Sequence, residues 1–115
     1  MTPEEQYEAG FAYRCEGNYA LARQAFEQTL AAEPGHLKSK WQIALIMGFE
    51  GDFDGSLAAL KDLAEQAPAN TDIRYDFGMT LMMLGFMDEA CAEFSEVLRL
   101  DPAHEKARQQ LVYCP

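Results

Sequence analysis

Apolar and polar residues recur along this chain with a helical period, and the pattern resets at regular intervals. Between Pro3 and Glu16, Tyr7 and Phe11 lie four residues apart, as do Ala9 and Tyr13, and no β-branched residue interrupts them. That spacing predicts a helix. Gly17-Asn18 breaks it, since glycine suits the left-handed position after a helix and asparagine can cap the next one. A second helix follows from Tyr19 to Ala32, with Ala22, Ala25, Phe26 and Leu30 as its buried i, i+3, i+4, i+8 stripe. Glu33-Pro34 ends it, because the proline ring cannot continue the hydrogen-bond ladder. The same alternation predicts helices over 37–49, 53–66, 71–84 and 87–100. A seventh is expected from Ala103 to Tyr113, with Asp101 as its cap and Pro102 at its first position.

The resets share one register. Gly17, Gly51 and Gly85 lie 34 residues apart, and so do Pro34, Pro68 and Pro102. Phe26, Leu60 and Phe94 keep the same step, as do Ala22, Ser56 and Ala90, and Gly10, Ala44 and Gly78. A fixed period of this size marks a repeat protein, in which each unit stacks on its neighbours. The chain is therefore read as one domain, 1–115, with repeats at about 3–36, 37–70 and 71–104 and a capping helix over 103–113. Small residues at the 10/44/78 and 22/56/90 positions let paired helices approach closely, and Phe26, Leu60 and Phe94 fill the space between pairs.

The pattern resembles the tetratricopeptide repeat, with its W-x2-L-G-x2-Y, A-x3-F and P positions. The first unit carries it as Ala9, Gly10, Tyr13, Ala22, Phe26 and Pro34. The third carries Phe77, Gly78, Leu81, Ala90, Phe94 and Pro102, and the second, more loosely, Ile43, Ala44, Met47, Ser56, Leu60 and Pro68. The family's first-position Trp is replaced by Gln6, Lys40 and Arg74. The resemblance implies an all-α fold: a right-handed α-solenoid of three antiparallel helix pairs plus the seventh, capping helix. It also implies that the first helix of each pair lines a concave groove, and that such arrays bind peptides or helices of other proteins and seldom catalyse.

Residues of the first helices outside the core stripe are then the candidates for that groove. One register position holds Tyr7, Trp41 and Tyr75, and one turn later come Phe11, Leu45 and Met79. Cys15, Phe49 and Met83 follow, while Asp72 and Asp76, with Glu4 and Glu8, form an acidic edge interrupted by Lys38 and Arg14. Aromatic rings give large contact area with few rotors to freeze, and methionines add a deformable end. The expected binding set is Tyr7, Phe11, Trp41, Leu45, Phe49, Asp72, Tyr75, Asp76, Met79 and Met83. Some family members grip the C-terminal carboxylate of heat-shock chaperones through Lys, Asn, Asn, Lys and Arg. The matching positions here are Tyr7, Phe11, Gln42, Asp72 and Asp76, so that ligand is not expected.

Charge narrows the partners. The net charge is −10, from 19 acids and 9 bases. Nucleic acids and anionic membranes both require clustered cations, so neither is expected. An apolar or aromatic protein segment, with some basic character, fits better. No apolar run approaches the roughly 18–20 residues of a membrane span, and the acidic start MTPEEQYE is no secretory signal. The cytoplasm is the expected compartment. The three cysteines, Cys15, Cys91 and Cys114, form no CxxC and pair only if the fold happens to bring two together, so free thiols are expected. His36 and His104 occupy equivalent loops and are assigned no role beyond loop and cap. No HExxH, phosphate-binding loop or nucleophile motif is present, so no enzyme, metal or cofactor is expected. The function expected is a non-catalytic adaptor. A chaperone-like holder of an apolar subunit and a self-associating module are the alternatives.

Overall fold

The computed structural model describes residues 1–115 as seven helices with no strand. They are α1 (Pro3–Cys15), α2 (Tyr19–Ala32), α3 (Leu37–Phe49), α4 (Phe53–Gln66), α5 (Thr71–Met83), α6 (Met87–Leu100) and α7 (Glu105–Leu111). The bounds of α2, α3, α4 and α6 fall where the sequence pattern puts them. The seventh helix does not. It begins at Glu105, not Ala103, and Asp101 closes α6 instead of opening α7. The Asp101 carboxylate accepts the Ala103 N–H at 3.1 Å, and the His104 imidazole caps α7 by accepting the Ala107 N–H at 3.2 Å. The loop repeats the one two repeats earlier, where His36 follows Glu33-Pro34-Gly35 and caps α3. Asp101-Pro102 thus closes a helix, as Glu33-Pro34 does two repeats earlier.

One device turns each first helix into its second. Gly85 has φ +90°, the left-handed conformation that a side chain resists. This lets the Phe86 N–H reach the Leu81 carbonyl at 2.9 Å and the Gly85 N–H reach Met82 at 3.1 Å, a Schellman closure. Gly17 and Gly51 do the same at their turns. The residue after the glycine then starts the next helix: Asn18 accepts the Leu21 N–H at 3.2 Å and Asp52 accepts the Gly55 N–H at 2.9 Å. At the third turn Phe86 occupies this place and makes no side-chain cap. The first helix carries a full capping box instead: Thr2 accepts from Glu5 N–H at 3.1 Å and Glu5 accepts from Thr2 N–H at 3.0 Å.

The contacts divide the chain into two compact units, Met1–Ser56 and Leu57–Pro115, with the division inside α4. In the first, α1 packs on α2 and α2 on α3. Ala22, Phe26 and Ile46 form a fully buried core, with Tyr7, Tyr13, Tyr19 and Ile43 packed around it. A β-carbon on Gly10 would stand 2.7 Å from the Phe26 ring, so the close approach expected from small residues is real. Leu30, expected in the buried stripe, is only half-buried. Thr29 is buried in its place and returns its hydroxyl to the Ala25 carbonyl at 3.0 Å. Ser56, where the other repeats have Ala22 and Ala90, is tolerated in a buried place because its hydroxyl donates to the Ala44 carbonyl at 2.7 Å.

In the second unit α5 packs on α6 and α6 on α7. Ile73, Phe77, Leu81, Phe94, Val97 and Ala107 are buried, and a β-carbon on Gly78 would meet Phe94 at 2.8 Å. The expectation of three free thiols is overturned in this unit. Cys91 of α6 and Cys114, just beyond α7, form a disulfide with Cα atoms 5.9 Å apart. Their 23-residue separation carries no recognisable spacing. The bond follows from α7 packing back on α6, which the sequence pattern alone does not position. Cys15 remains a free, exposed thiol.

Candidate functional site

Each unit contains the same small cluster, displaced by two repeats. In the first, the Tyr7 ring packs against Phe26 at 5.5 Å and against His36 at 5.2 Å between centroids. In the second, Tyr75 packs against Phe94 at 5.7 Å and His104 at 5.3 Å. The histidines hold these clusters from the loop side. His104 Nδ1 accepts a backbone N–H, so its other nitrogen carries the proton and donates to the Asp72 carboxylate at 3.1 Å. His36 Nδ1 meets Ser39 N–H and Oγ, and its Nε2 faces Glu4 at 3.9 Å. Gln42 and Gln110 lie near the two phenols and oppose the rise in their ionisation. The sequence pattern marks the two histidines only as loop and cap residues. Their separation by two full periods, each at the residue before a helix, is the signal that they serve as paired buttresses.

Burial raises the ionisation of Tyr7 above the ordinary 10.0, against a smaller opposing effect of Gln42. Burial also raises Tyr75, helped by the adjacent Asp76 carboxylate. A phenol raised in the folded state contributes stability that is complete below pH about 10 and is lost as pH climbs through its folded value. In a spectrophotometric titration, Tyr7 and Tyr75 should therefore ionise above the ordinary phenol value of 10.0. In Tyr7→Phe and Tyr75→Phe variants, the late fraction of the phenolate absorbance change should shrink. An unchanged late fraction would show that these rings are not desolvated.

The other expected binding residues split by exposure. Phe11 is 40% and Phe49 53% exposed. The Arg14 guanidinium lies over both exposed rings, 5.0 Å from Phe11 and 5.9 Å from Phe49, in the cation–π range. Tyr19 stacks on Phe49, with ring centroids 5.5 Å apart. Trp41 and Leu45 are half-buried on α3. In the second unit Met79 and Asp76 are half-buried on α5, Asp72 is exposed with its carboxylate held by His104, and Met83 is exposed at the helix end. A shallow depression of about 240 Å³ opens beside Tyr7, Glu8 and Phe11. A larger cavity of about 520 Å³, floored by Ala64, Phe77 and Leu81 and edged by an Arg74–Glu93 ion pair at 2.8 Å, contains none of the expected residues.

The helical pairs and the left-handed glycines at their turns define a helical-repeat protein. The tetratricopeptide repeat profile matches residues 50–112, more than half of the chain. The chain belongs to the tetratricopeptide repeat family, whose members serve as protein–protein interaction scaffolds and are generally non-catalytic. Its all-α solenoid fold recurs in solved structures. MamA (residues 41 to the end) of Desulfovibrio magneticus RS-1 matches with TM-score 0.80 and 23% identity over 95% of this chain, and the chain spans 62% of that structure's length. The first repeat domain of Spaghetti (RPAP3), bound to the HSP90 peptide SRMEEVD, matches with TM-score 0.85 and 19% identity, covering 96% of this chain and 88% of that one. An O-GlcNAc transferase of Thermobaculum terrenum matches at TM-score 0.83 and 16% identity over 95% of this chain and 21% of its own. No curated protein sequence matches.

Proposed function

We propose that the chain is a non-catalytic adaptor that binds a peptide or helix of a partner protein through the first helices of its repeats. The observation that carries this is the exposed Phe11–Arg14–Phe49 group on α1 and α3. Two large rings left in water, with a guanidinium spread over them, have the composition of an interface hot spot. Trp41, Leu45, Met79 and Met83 extend the apolar set along the same class of helix, and Asp76 and Asp72 supply carboxylates. Tyr7, engaged with Phe26 and His36, and Tyr75, engaged with Phe94 and His104, each brace the first helix of their own unit.

The ligand in this reading differs from the acidic HSP90 peptide of the Spaghetti domain. Tyr7 is half-buried against the core, Gln42 is buried, and Asp72 is tied to His104. Tyr7, Asp72 and Asp76 stand where the clamp's three cations would be, and Gln42 stands where an Asn would be. Phe11→Ser combined with Phe49→Ser is the direct test, because both residues are exposed and the fold should survive. In pull-downs from source lysate, the parent should retain partners that the double variant loses, with the helical circular dichroism of both unchanged. Equal recovery of every partner would remove this site from the function.

A further inference from the structure

We infer that the turn between α5 and α6 is a second docking surface, sharing only Met83 with the first-helix site, and that its partner is a basic amphipathic helical segment of another protein. The register makes the case. Positions 18, 52 and 86 are equivalent, and the first two hold Asn18 and Asp52, whose side chains cap the following helix. The third holds Phe86, which caps nothing, contacts no other ring and is 48% exposed. A capping residue has been exchanged for a large apolar one that packs into no core. On either side of the three-residue turn Leu84-Gly85-Phe86 stand Met83, 62% exposed, and Met87, 38% exposed. In the first unit the residue equivalent to Met87 is Tyr19, which is stacked on Phe49. Phe86 is therefore flanked in sequence by two exposed, flexible thioethers, a combination that adapts to varied apolar side chains.

Charge selects the occupant. Asp88 and Glu89 follow directly in the first turn of α6, are exposed and take part in no ion pair. A helix with leucine-type residues on one face and Lys or Arg along its border would seat the apolar face on Met83, Phe86 and Met87 and bring cations to these carboxylates. A second copy of this chain is a poor match, because its surface carries the same sign of charge at net −10.

The experiment uses the full chain with ¹³C-methyl methionine and a Leu–Lys amphipathic helical peptide, about five turns long, as the probe. The Met83 and Met87 methyl resonances should shift on titration, and the affinity should fall with added salt. Phe86→Asn should weaken binding about 10-fold or more while raising Tm by a few degrees, roughly the gain of one restored cap. Asp88→Asn with Glu89→Gln should flatten the salt dependence, and a Leu–Glu peptide should not bind. The Phe11/Phe49 double variant should bind the Leu–Lys peptide like the parent, which keeps this surface distinct from the adaptor site. The inference is overturned if the two methyls do not move, if Phe86→Asn binds equally well, or if the Leu–Glu peptide binds as tightly. It is overturned equally if the methyls shift with protein concentration alone, which would make the surface a self-contact.

Discussion

Phe94→Ala is expected to destabilise the protein by about 3–5 kcal/mol, the usual cost of emptying a fully buried aromatic site. Phe94 has no exposed surface, and three neighbours depend on its ring. Gly78 lacks a side chain because the ring occupies that space, as the 2.8 Å approach of a hypothetical β-carbon shows. Tyr75 lies on the ring at 5.7 Å, and through Tyr75 the ring supports His104, the cap of α7. The helices cannot close the gap easily, since Ala90 and Gly78 already allow close approach and can shrink no further. At roughly 0.05–0.15 kcal/mol per residue, a chain of this size has about 6–17 kcal/mol in total, so the loss is a large fraction of it. Urea denaturation should show the midpoint falling with little change in slope. A loss below about 1 kcal/mol would mean the site collapses freely and that Phe94 is not the keystone of its unit.

The 34-residue register carried most of the fold, because each element it marks is set by local chemistry. The left-handed glycines at 17, 51 and 85 and the helix-ending prolines act within a few residues of themselves, so their spacing translates directly into helix bounds. The close pairing at Gly10 and Gly78 was legible for a related reason: a side chain missing from a fixed register position inside a helix marks a place where another element comes near. The site was less legible. Tyr7, Trp41 and Tyr75 share a register position, and a ring at such a position can face a ligand or lean on the helix behind it. The choice depends on residues far along the chain: Phe26 and His36 for Tyr7, Phe94 and His104 for Tyr75. Phe11 and Phe49 are the rings that stay exposed, with Arg14 over both. In the sequence Arg14 is visible only as a break in an acidic edge. Phe86 was hidden differently. It was visible as an apolar residue, but its meaning came from the cap that Asn18 and Asp52 make and it does not.

Reducing the Cys91–Cys114 bond is expected to cost about 3 kcal/mol, the chain-entropy value for a closed loop of this size. The cross-link ties α6 to the segment beyond α7, and α7 has only seven residues. A helix that short is marginal by itself, so it relies on docking. Ala107 is its one fully buried side chain, while His104 fixes its start through Tyr75 and Asp72. Reduction should therefore act locally first. Amide exchange should accelerate in α7 and in the α6 residues it covers, and Met1–Ser56 should keep its protection. The urea midpoint of the Cys91→Ser/Cys114→Ser variant should match that of the reduced parent, with Cys15→Ser as the reference background. If reduction leaves both midpoint and exchange unchanged, the bond contributes no stability and α7 is held by packing alone. Thiol counting in rapidly quenched cells separates the compartments. A cytoplasmic protein kept reduced should show three reactive thiols, whereas the bonded chain shows only Cys15. A single thiol would place the working protein in an oxidising environment. Three would mean that α7 is docked in cells without its covalent tie and is correspondingly easier to displace.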